Sequence, residues 1–196
     1  MKYALSFTYV LLSILIQAQE NNPLPYREIP KAPEHYSAGT VVSRMVDGLG
    51  FRYYWATEGL RPDDLDFKPG PESRTSFETL DHIHDLSRII VNSVTATTNT
   101  PGVTKPAMTF DEMRKATLEN LSRASEILRK SSDEDFAKFE LTFQRDNNSR
   151  TFPFWNQLNG PIADALWHVG QVVSFRRQSG NPFSEKVSVF NGTVSK

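Results

Sequence analysis

The chain has 196 residues, no cysteine and a formal net charge of −1 at pH 7. The absence of cysteine excludes disulfides, thiolate metal ligands and a cysteine nucleophile, so a metal site would have to use His, Asp or Glu. The near-neutral charge, without a Lys/Arg cluster long enough to follow a phosphate backbone, argues against a nucleic-acid partner.

The N-terminus has the pattern of a secretory signal. Lys2 supplies a charged start, an apolar run extends from Tyr9 to Ile16, and Ala18 offers a small residue for cleavage. Residues 1–18 are therefore predicted to be a signal peptide, and the protein is predicted to be exported, either periplasmic or secreted. The apolar run is shorter than the roughly 20 residues that a bilayer span needs, so no membrane span is expected after cleavage.

Residues 35–183 are predicted to form one domain, preceded by a proline-rich arm at 19–34 and followed by a tail at 184–196. Within the domain, four stretches carry apolar residues at three- and four-residue steps, which is typical of helices with one face in a core. Two capping boxes mark helix starts, Thr75 with Glu78 and Thr109 with Glu112.

A short segment interrupts the helical pattern before the last helix. Phe139, Leu141 and Phe143 alternate with polar residues, and Asp146 to Ser149 supply turn chemistry, so a small β-hairpin is predicted. The last helix then extends to about Gln178, with Pro161 in its first turn or at a kink. The predicted fold class is all-α, a four-helix bundle with a small β-hairpin between helices three and four.

The last helix contains an isolated acidic residue. Asp164 is the only charged residue between Thr151 and Phe175, in an otherwise apolar stretch that is expected to be buried on nearly every side. A buried carboxylate is costly unless it is paired or bound to a cation. His168 follows four residues later, on the same face of the helix, so the two side chains can converge on one point. The same spacing also suits an ordinary hydrogen-bonded pair or a carboxylate stabilised by the helix dipole.

A metal ion needs at least a third ligand, and the second helix offers His82 or His84. These residues lie about 200° apart around a helix and flank its apolar stripe on opposite sides, so periodicity does not choose between them. His84 is expected to be a solvated or core-capping histidine. At the end of the last helix, Arg176 and Arg177 either complement the helix dipole or receive an anionic substrate, and the dipole interpretation is preferred.

Two segments carry a family resemblance: "GLRPDDLDFKPGPESRTSFETLDHIHDL" and "DALWHVGQVVSFRRQSGNP". Together they resemble the DinB-like superfamily of metal-binding four-helix bundles, which includes thiol-dependent S-transferases and maleylpyruvate isomerase-like enzymes. The second segment is similar to the family's His-x-x-x-His-x-Gly-Gln helix, which ends in Arg and Gly-x-Pro. The resemblance extends from about Val42 to Pro182.

The resemblance implies that His82, Asp164 and His168 are the metal ligands, with Asp164 at a position where the commonest family pattern has histidine. Two histidines and a carboxylate suit a divalent transition metal such as Zn, Ni, Fe or Mn. In the family, the remaining coordination positions hold water or a substrate thiolate. Apolar faces left over on the last helix permit a homodimer, the family's frequent state.

Two functions are consistent with these residues. The first is an exported metal-dependent hydrolase or transferase that acts on an unknown small-molecule substrate. The alternative is a non-catalytic binding or structural module, in which the metal site is structural or vestigial.

Overall fold

The computed structural model describes residues 23–102 and 106–195. The predicted signal peptide, residues 1–18, lies outside these ranges, and its assignment stays a prediction. Among the described helices, none combines the length and the hydropathy that a membrane span requires.

The described chain is mostly helical, as predicted. Its long helices are α1 (Ala38–Thr57), α3 (Ser76–Val94), α4 (Phe110–Lys130) and α6 (Ala163–Gln178), and its short helices are α2 (Pro62–Asp66) and α5 (Trp155–Gln157). Two antiparallel strand pairs complete it: β1 (Leu141–Arg145) with β2 (Asn148–Phe152), and β3 (Val187–Ser188) with β4 (Thr193–Val194). The β1–β2 pair is the hairpin expected ahead of the last helix.

Side-chain caps define the starts of α3 and α4. The Thr75 hydroxyl accepts from the backbone N–H of Glu78 at 3.1 Å, and the Glu78 carboxylate accepts from the backbone N–H of Thr75 at 2.8 Å. Thr109 and Glu112 make the same reciprocal pair at α4. Both predicted capping boxes are therefore confirmed, and they satisfy N–H groups that have no partner within the helix.

The four long helices pack around one apolar core. Helix α1 packs against α4 and α6, and α3 packs against the same two helices. Because each long helix buries its apolar stripe against two neighbours, the largest side chains of the core are almost completely shielded from water. They include Leu49, Phe51, Tyr53, Leu80, Ile83, Ile90, Met113, Leu118, Leu121, Leu128 and Ile162.

The proline-rich arm lies against α1 and meets the C-terminal tail. The ring of Tyr26 sits directly over Gly50, where a Cβ atom would come within 2.4 Å of it, so only glycine allows this contact. The backbone N–H of Ile29 donates to the carbonyl of Gly192 at 2.9 Å, which joins the arm to the turn between β3 and β4. The two ends of the described chain are thus packed together on one side of the helices.

The last helix is broken at Pro161. A π-helical turn, Leu158–Ile162, separates α5 from α6, and Gly160 inside it has non-helical backbone angles. Proline has no N–H to donate, and its ring clashes with the carbonyl four residues earlier, so a regular helix cannot pass through it. Of the two positions predicted for Pro161, the structure shows the kink. The Gln157 side chain, fully buried, holds this segment against α3 by donating to the carbonyl of Ile90 at 3.0 Å.

The expectation that the last helix is buried on nearly every side is wrong. Trp167 of α6 is 72% exposed, and Asp164 has 41% of its side chain exposed, whereas Val169 and Val172 are buried. Within the described chain, α6 packs mainly against α3 and α1, so its outward face has no covering element. Its apolar composition did not reveal this, because composition does not tell which sides of a helix have neighbours.

Arg176 joins the end of α6 to the end of α1. Its side chain is almost completely buried, and Nη1 donates to the carbonyls of Trp55, Ala56 and Glu58 at 3.0 Å each. These carbonyls belong to the last turn of α1, where no intrahelical donor is available. Arg176 therefore complements the dipole of α1 as well as lying at the end of its own helix, and it is not placed to receive a substrate.

A buried carboxylate reinforces this junction. Asp64 of α2 accepts from Arg61, from the Ser179 hydroxyl and from the Asn181 amide at 2.5 to 2.8 Å. The hydrogen bond from Arg61 is the largest of the effects that hold the pKa of Asp64 well below its usual range; burial opposes them. The network ties the loop after α1 to the residues that follow α6, and so it fixes the axial position of α6.

We predict that Arg176→Met lowers the free energy of unfolding by about 3 kcal/mol, because it leaves several buried carbonyls without donors. Arg177→Met is the matched control. Arg177 is exposed, so its replacement should change stability by less than about 0.5 kcal/mol. Urea unfolding followed by circular dichroism measures both values, and equal losses in the two variants would contradict the role given to Arg176.

Candidate metal centre

The three predicted ligands come from two helices. His82 lies in the second turn of α3, whereas Asp164 and His168 occupy successive turns at the start of α6. The packing of α6 against α3 brings them to the same place. The kink at Pro161 precedes Asp164 by only three residues, so the direction in which α6 starts determines where the pair points.

The donor atoms of these three side chains converge. His82 Nε2 lies 3.4 Å from Asp164 Oδ2, and His168 Nε2 lies 3.3 Å from Asp164 Oδ1. One ligand atom from each residue lies within 4.8 Å of the other two. The two imidazole rings meet edge to face, with centroids 4.7 Å apart and planes at 82°. The carboxylate therefore stands between two imidazole nitrogens.

These distances suit a shared cation. A well-formed N–H···O hydrogen bond measures about 2.7–3.2 Å, so both nitrogen–oxygen distances are longer than that range. Two donors about 2.1 Å from one ion, at a tetrahedral angle, would be about 3.4 Å apart. The donor set has the chemistry and a spacing close to what a divalent transition metal requires.

A fourth side chain orients His168. Nδ1 of His168 lies 2.7 Å from Oε1 of Gln171, one turn further along α6. When Nδ1 donates a proton to this oxygen, Nε2 keeps the lone pair that a metal ion would use. Nε2 lies 3.3 Å from Oδ1 of Asp164, so the two possible ligand atoms of α6 face the same position.

The centre is partly exposed to solvent. The side chain of His168 is 16% exposed, that of His82 is 31% exposed and that of Asp164 is 41% exposed. Burial is the main cause that lowers the pKa of His82, and the neighbouring His168 and Arg74 lower it further, while Asp164 raises it. Near neutral pH His82 is therefore uncharged, which is the form that binds a metal ion.

The structure also decides between the two histidines of α3. His82 belongs to the cluster, whereas His84 lies buried on another side of the helix and is not part of it. Residues two apart point about 200° away from each other around a helix, so only one of them can reach α6. The burial of His84 fits the prediction that it caps the core. His35 is exposed beside the proline-rich arm.

Gln171 was not singled out from the sequence. Its position three residues after His168 is the signal that could have identified it, because such residues are neighbours on a helix. Arg74 had no comparable signal. It precedes α3 in the chain, and only the folded structure places its charge near His82.

No model of a known protein family matches the chain, and no curated protein matches it. Among solved structures, the chain is similar to a DinB-like protein from Bacillus subtilis determined at 2.30 Å resolution, with a TM-score of 0.51 and 16% sequence identity. The alignment covers 72% of this chain and 94% of that protein.

This likeness confirms, at the level of the fold, the resemblance drawn from the sequence. The chain has a DinB-like, mostly helical fold. Within that fold it carries a His-Asp-His group that could hold a metal ion.

We predict that, in the metal-free protein, His82 titrates below the ordinary histidine pKa. Arg74→Gln should raise this pKa because a repelling charge is lost, and Asp164→Asn should lower it further because an attracting charge is lost. Arg123→Gln, on the exposed side of α4, is the control and should leave it unchanged. NMR titration of the imidazole resonances measures all four proteins.

The lowered pKa of His82 also makes the stability of the protein depend on pH. Because the folded state holds this proton less tightly than the unfolded chain does, the unfolded state binds more protons below a pH of about 6.5. Acidification through that range should therefore weaken the contribution of His82 to stability. A His82 pKa at or above the ordinary value would contradict the electrostatic description of the site.

Proposed function

We propose that this protein is a DinB-like four-helix bundle that binds a divalent transition metal ion, Zn, Ni, Fe or Mn, through His82, Asp164 and His168. We further propose that it is a metal-dependent hydrolase or transferase acting on a small-molecule substrate. The observation that carries the proposal is the convergence of three ligand atoms within 4.8 Å at a partly exposed position.

The charge of the ligand set supports binding of a divalent cation. Two neutral imidazoles and one carboxylate carry a net charge of −1, and the lowered pKa of His82 keeps that imidazole neutral at physiological pH. A divalent ion bound there would attract the Asp164 carboxylate and the lone pairs of both imidazoles.

The openness of the centre favours a reactive site over a closed structural one. Structural metal sites are usually enclosed by four protein ligands, whereas catalytic sites have three and keep a position for water or substrate. Here three side chains converge, and Asp164 and His82 are the most exposed of them, at 41% and 31%.

The roles of the protein groups follow from this arrangement. A divalent ion, when bound, supplies Lewis acidity and lowers the pKa of a water or thiol bound to it. His82 and His168 hold their Nε2 atoms towards the shared position, and Asp164 contributes the negative charge. Gln171 orients the His168 ring and sets its tautomer, as groups behind metal-binding histidines commonly do. The exposed side of the centre leaves access for a substrate.

In the alternative function, the same three residues hold a structural metal ion. Because His82 is on α3 and the other two ligands are on α6, a bound ion would also link the two helices. A purely structural ion should be inaccessible to small chelators and thiols, and Asp164→Asn should then cause a large loss of melting temperature. An accessible ion whose loss changes melting only modestly would favour the reactive site.

Export and a homodimer remain parts of the proposal. Export rests on the signal pattern of residues 1–18. A homodimer is supported by the indole of Trp167 on α6, which is 72% exposed and forms a large apolar surface for a chain in water.

We predict that the metal-free protein takes up one equivalent of a divalent transition metal. His82→Ala, Asp164→Asn and His168→Ala should each weaken binding by roughly 100-fold or more, because each removes one of three ligands. His35→Ala is the matched control, since His35 is an exposed histidine outside the cluster, and it should bind like the unmodified protein. Isothermal titration calorimetry and elemental analysis measure these values. Uptake below about a tenth of an equivalent for every metal tested would overturn the proposal.

We also predict that Gln171→Met weakens metal binding by about 10–100-fold, because it removes the acceptor that orients His168. Gln171→Glu keeps an acceptor at the same reach and should restore most of the affinity. Gln178→Met, at the exposed end of α6, should have no effect. Competition with a chromophoric chelator measures the affinities. Equal loss in the Met and Glu variants would show that Gln171 acts through packing and not through its hydrogen bond.

A further inference from the structure

A second concave site lies apart from the metal centre. A cavity of about 430 Å³ forms where the first turns of α1 meet the 3₁₀ turn Asp133–Ala137 and the segment 153–158. None of the three proposed ligands lines it. It is a concavity of the surface, because exposed residues such as Asp133, Glu140 and Trp155 line part of it. It falls within the range of small-molecule binding sites.

Aromatic rings form much of the wall of this cavity. Phe136 and Phe154 meet edge to face with ring centroids 4.8 Å apart, and Phe139 packs against Phe136 at 5.5 Å and against Phe154 at 6.0 Å. Mutual contacts of this kind hold the rings in place. Trp155 also lines the cavity, and its indole is 75% exposed. The site thus offers aromatic surface inside and an exposed indole at its edge.

The charged residues that line the cavity are acidic. Asp133 and Glu140 line it, both are exposed, and none of the described residues that line it is basic. Aromatic faces attract cations through the negative potential above the ring, and tryptophan does so most strongly. Nearby carboxylates add to the same attraction and repel anions. An apolar wall with a negative rim is complementary to a ligand that has a hydrocarbon body and a positive charge.

We propose that this cavity binds a small organic cation, an alkyl- or arylammonium compound, with its apolar part against Phe136, Phe139 and Phe154. Its positive charge lies near Trp155, Asp133 and Glu140. A neutral apolar ligand would contact the aromatic wall but would not be attracted by the two carboxylates. An anion of the same shape would be repelled by them. The proposal is independent of the metal centre, because the two sites share no residue.

The test uses the full chain, free of metal, and calorimetric titration with benzyltrimethylammonium. Its uncharged isostere, neopentylbenzene, has the same shape without the charge. We expect the cation to bind about five-fold or more tightly than the isostere, as a desolvated cation–aromatic contact implies. Asp133→Asn combined with Glu140→Gln should remove that preference. Trp155→Leu should weaken binding of the cation more than that of the isostere.

Matched controls separate the cavity from general electrostatics and from the metal centre. Glu119→Gln combined with Glu126→Gln removes two exposed acidic charges of α4 outside the cavity and should leave binding of the cation unchanged. Asp164→Asn should also leave it unchanged. Equal affinity for the cation and its isostere, full affinity in the Asp133 and Glu140 double variant, or no binding of the cation at concentrations of about 10 mM would each overturn the proposal.

Discussion

The packing of α6 against α3 is the contact on which the candidate metal centre depends. His82 is carried by one of these helices, and Asp164 and His168 are carried by the other. Their relative position is held at both ends: Gln157 attaches the start of the last helical segment to α3, and Arg176 attaches its end to the last turn of α1. Both attachments are buried hydrogen bonds, which are costly to break because the freed groups would have no water to bind.

The side chains of the candidate centre are held by neighbouring residues and are partly exposed to solvent. The ring of His168 is held by Gln171, and the position of Asp164 follows from the kink at Pro161, so two of the three side chains are oriented before any ion binds. Preorganised ligands lose less conformational freedom on binding, which favours affinity. Asp164 and His82 are partly exposed, so solvent can reach the ligand atoms of the candidate centre.

Asp164 sets the charge of the candidate centre. A carboxylate adds a negative charge to the ligand set, so a bound divalent ion retains less positive charge than it would among three imidazoles. Asp164 also opposes the effects that lower the pKa of His82. The solved DinB-like structure supports the fold but not the chemistry, because at 16% identity the functional residues of one protein do not carry over to the other.

The sequence by itself determined the local features of this protein. Capping residues such as Thr75 and Thr109 set helix starts, alternating residues marked the hairpin, and the four-residue spacing put Asp164 and His168 on one face, because these patterns depend on neighbours along the chain. Periodicity left His82 and His84 equivalent, and His82 was favoured only by the family resemblance until the tertiary structure placed it beside that pair. Only the tertiary structure decided that one side of α6 is exposed and that Arg176 caps α1. Each of these depends on which helix covers which face, and that is set by contacts between residues far apart in the chain.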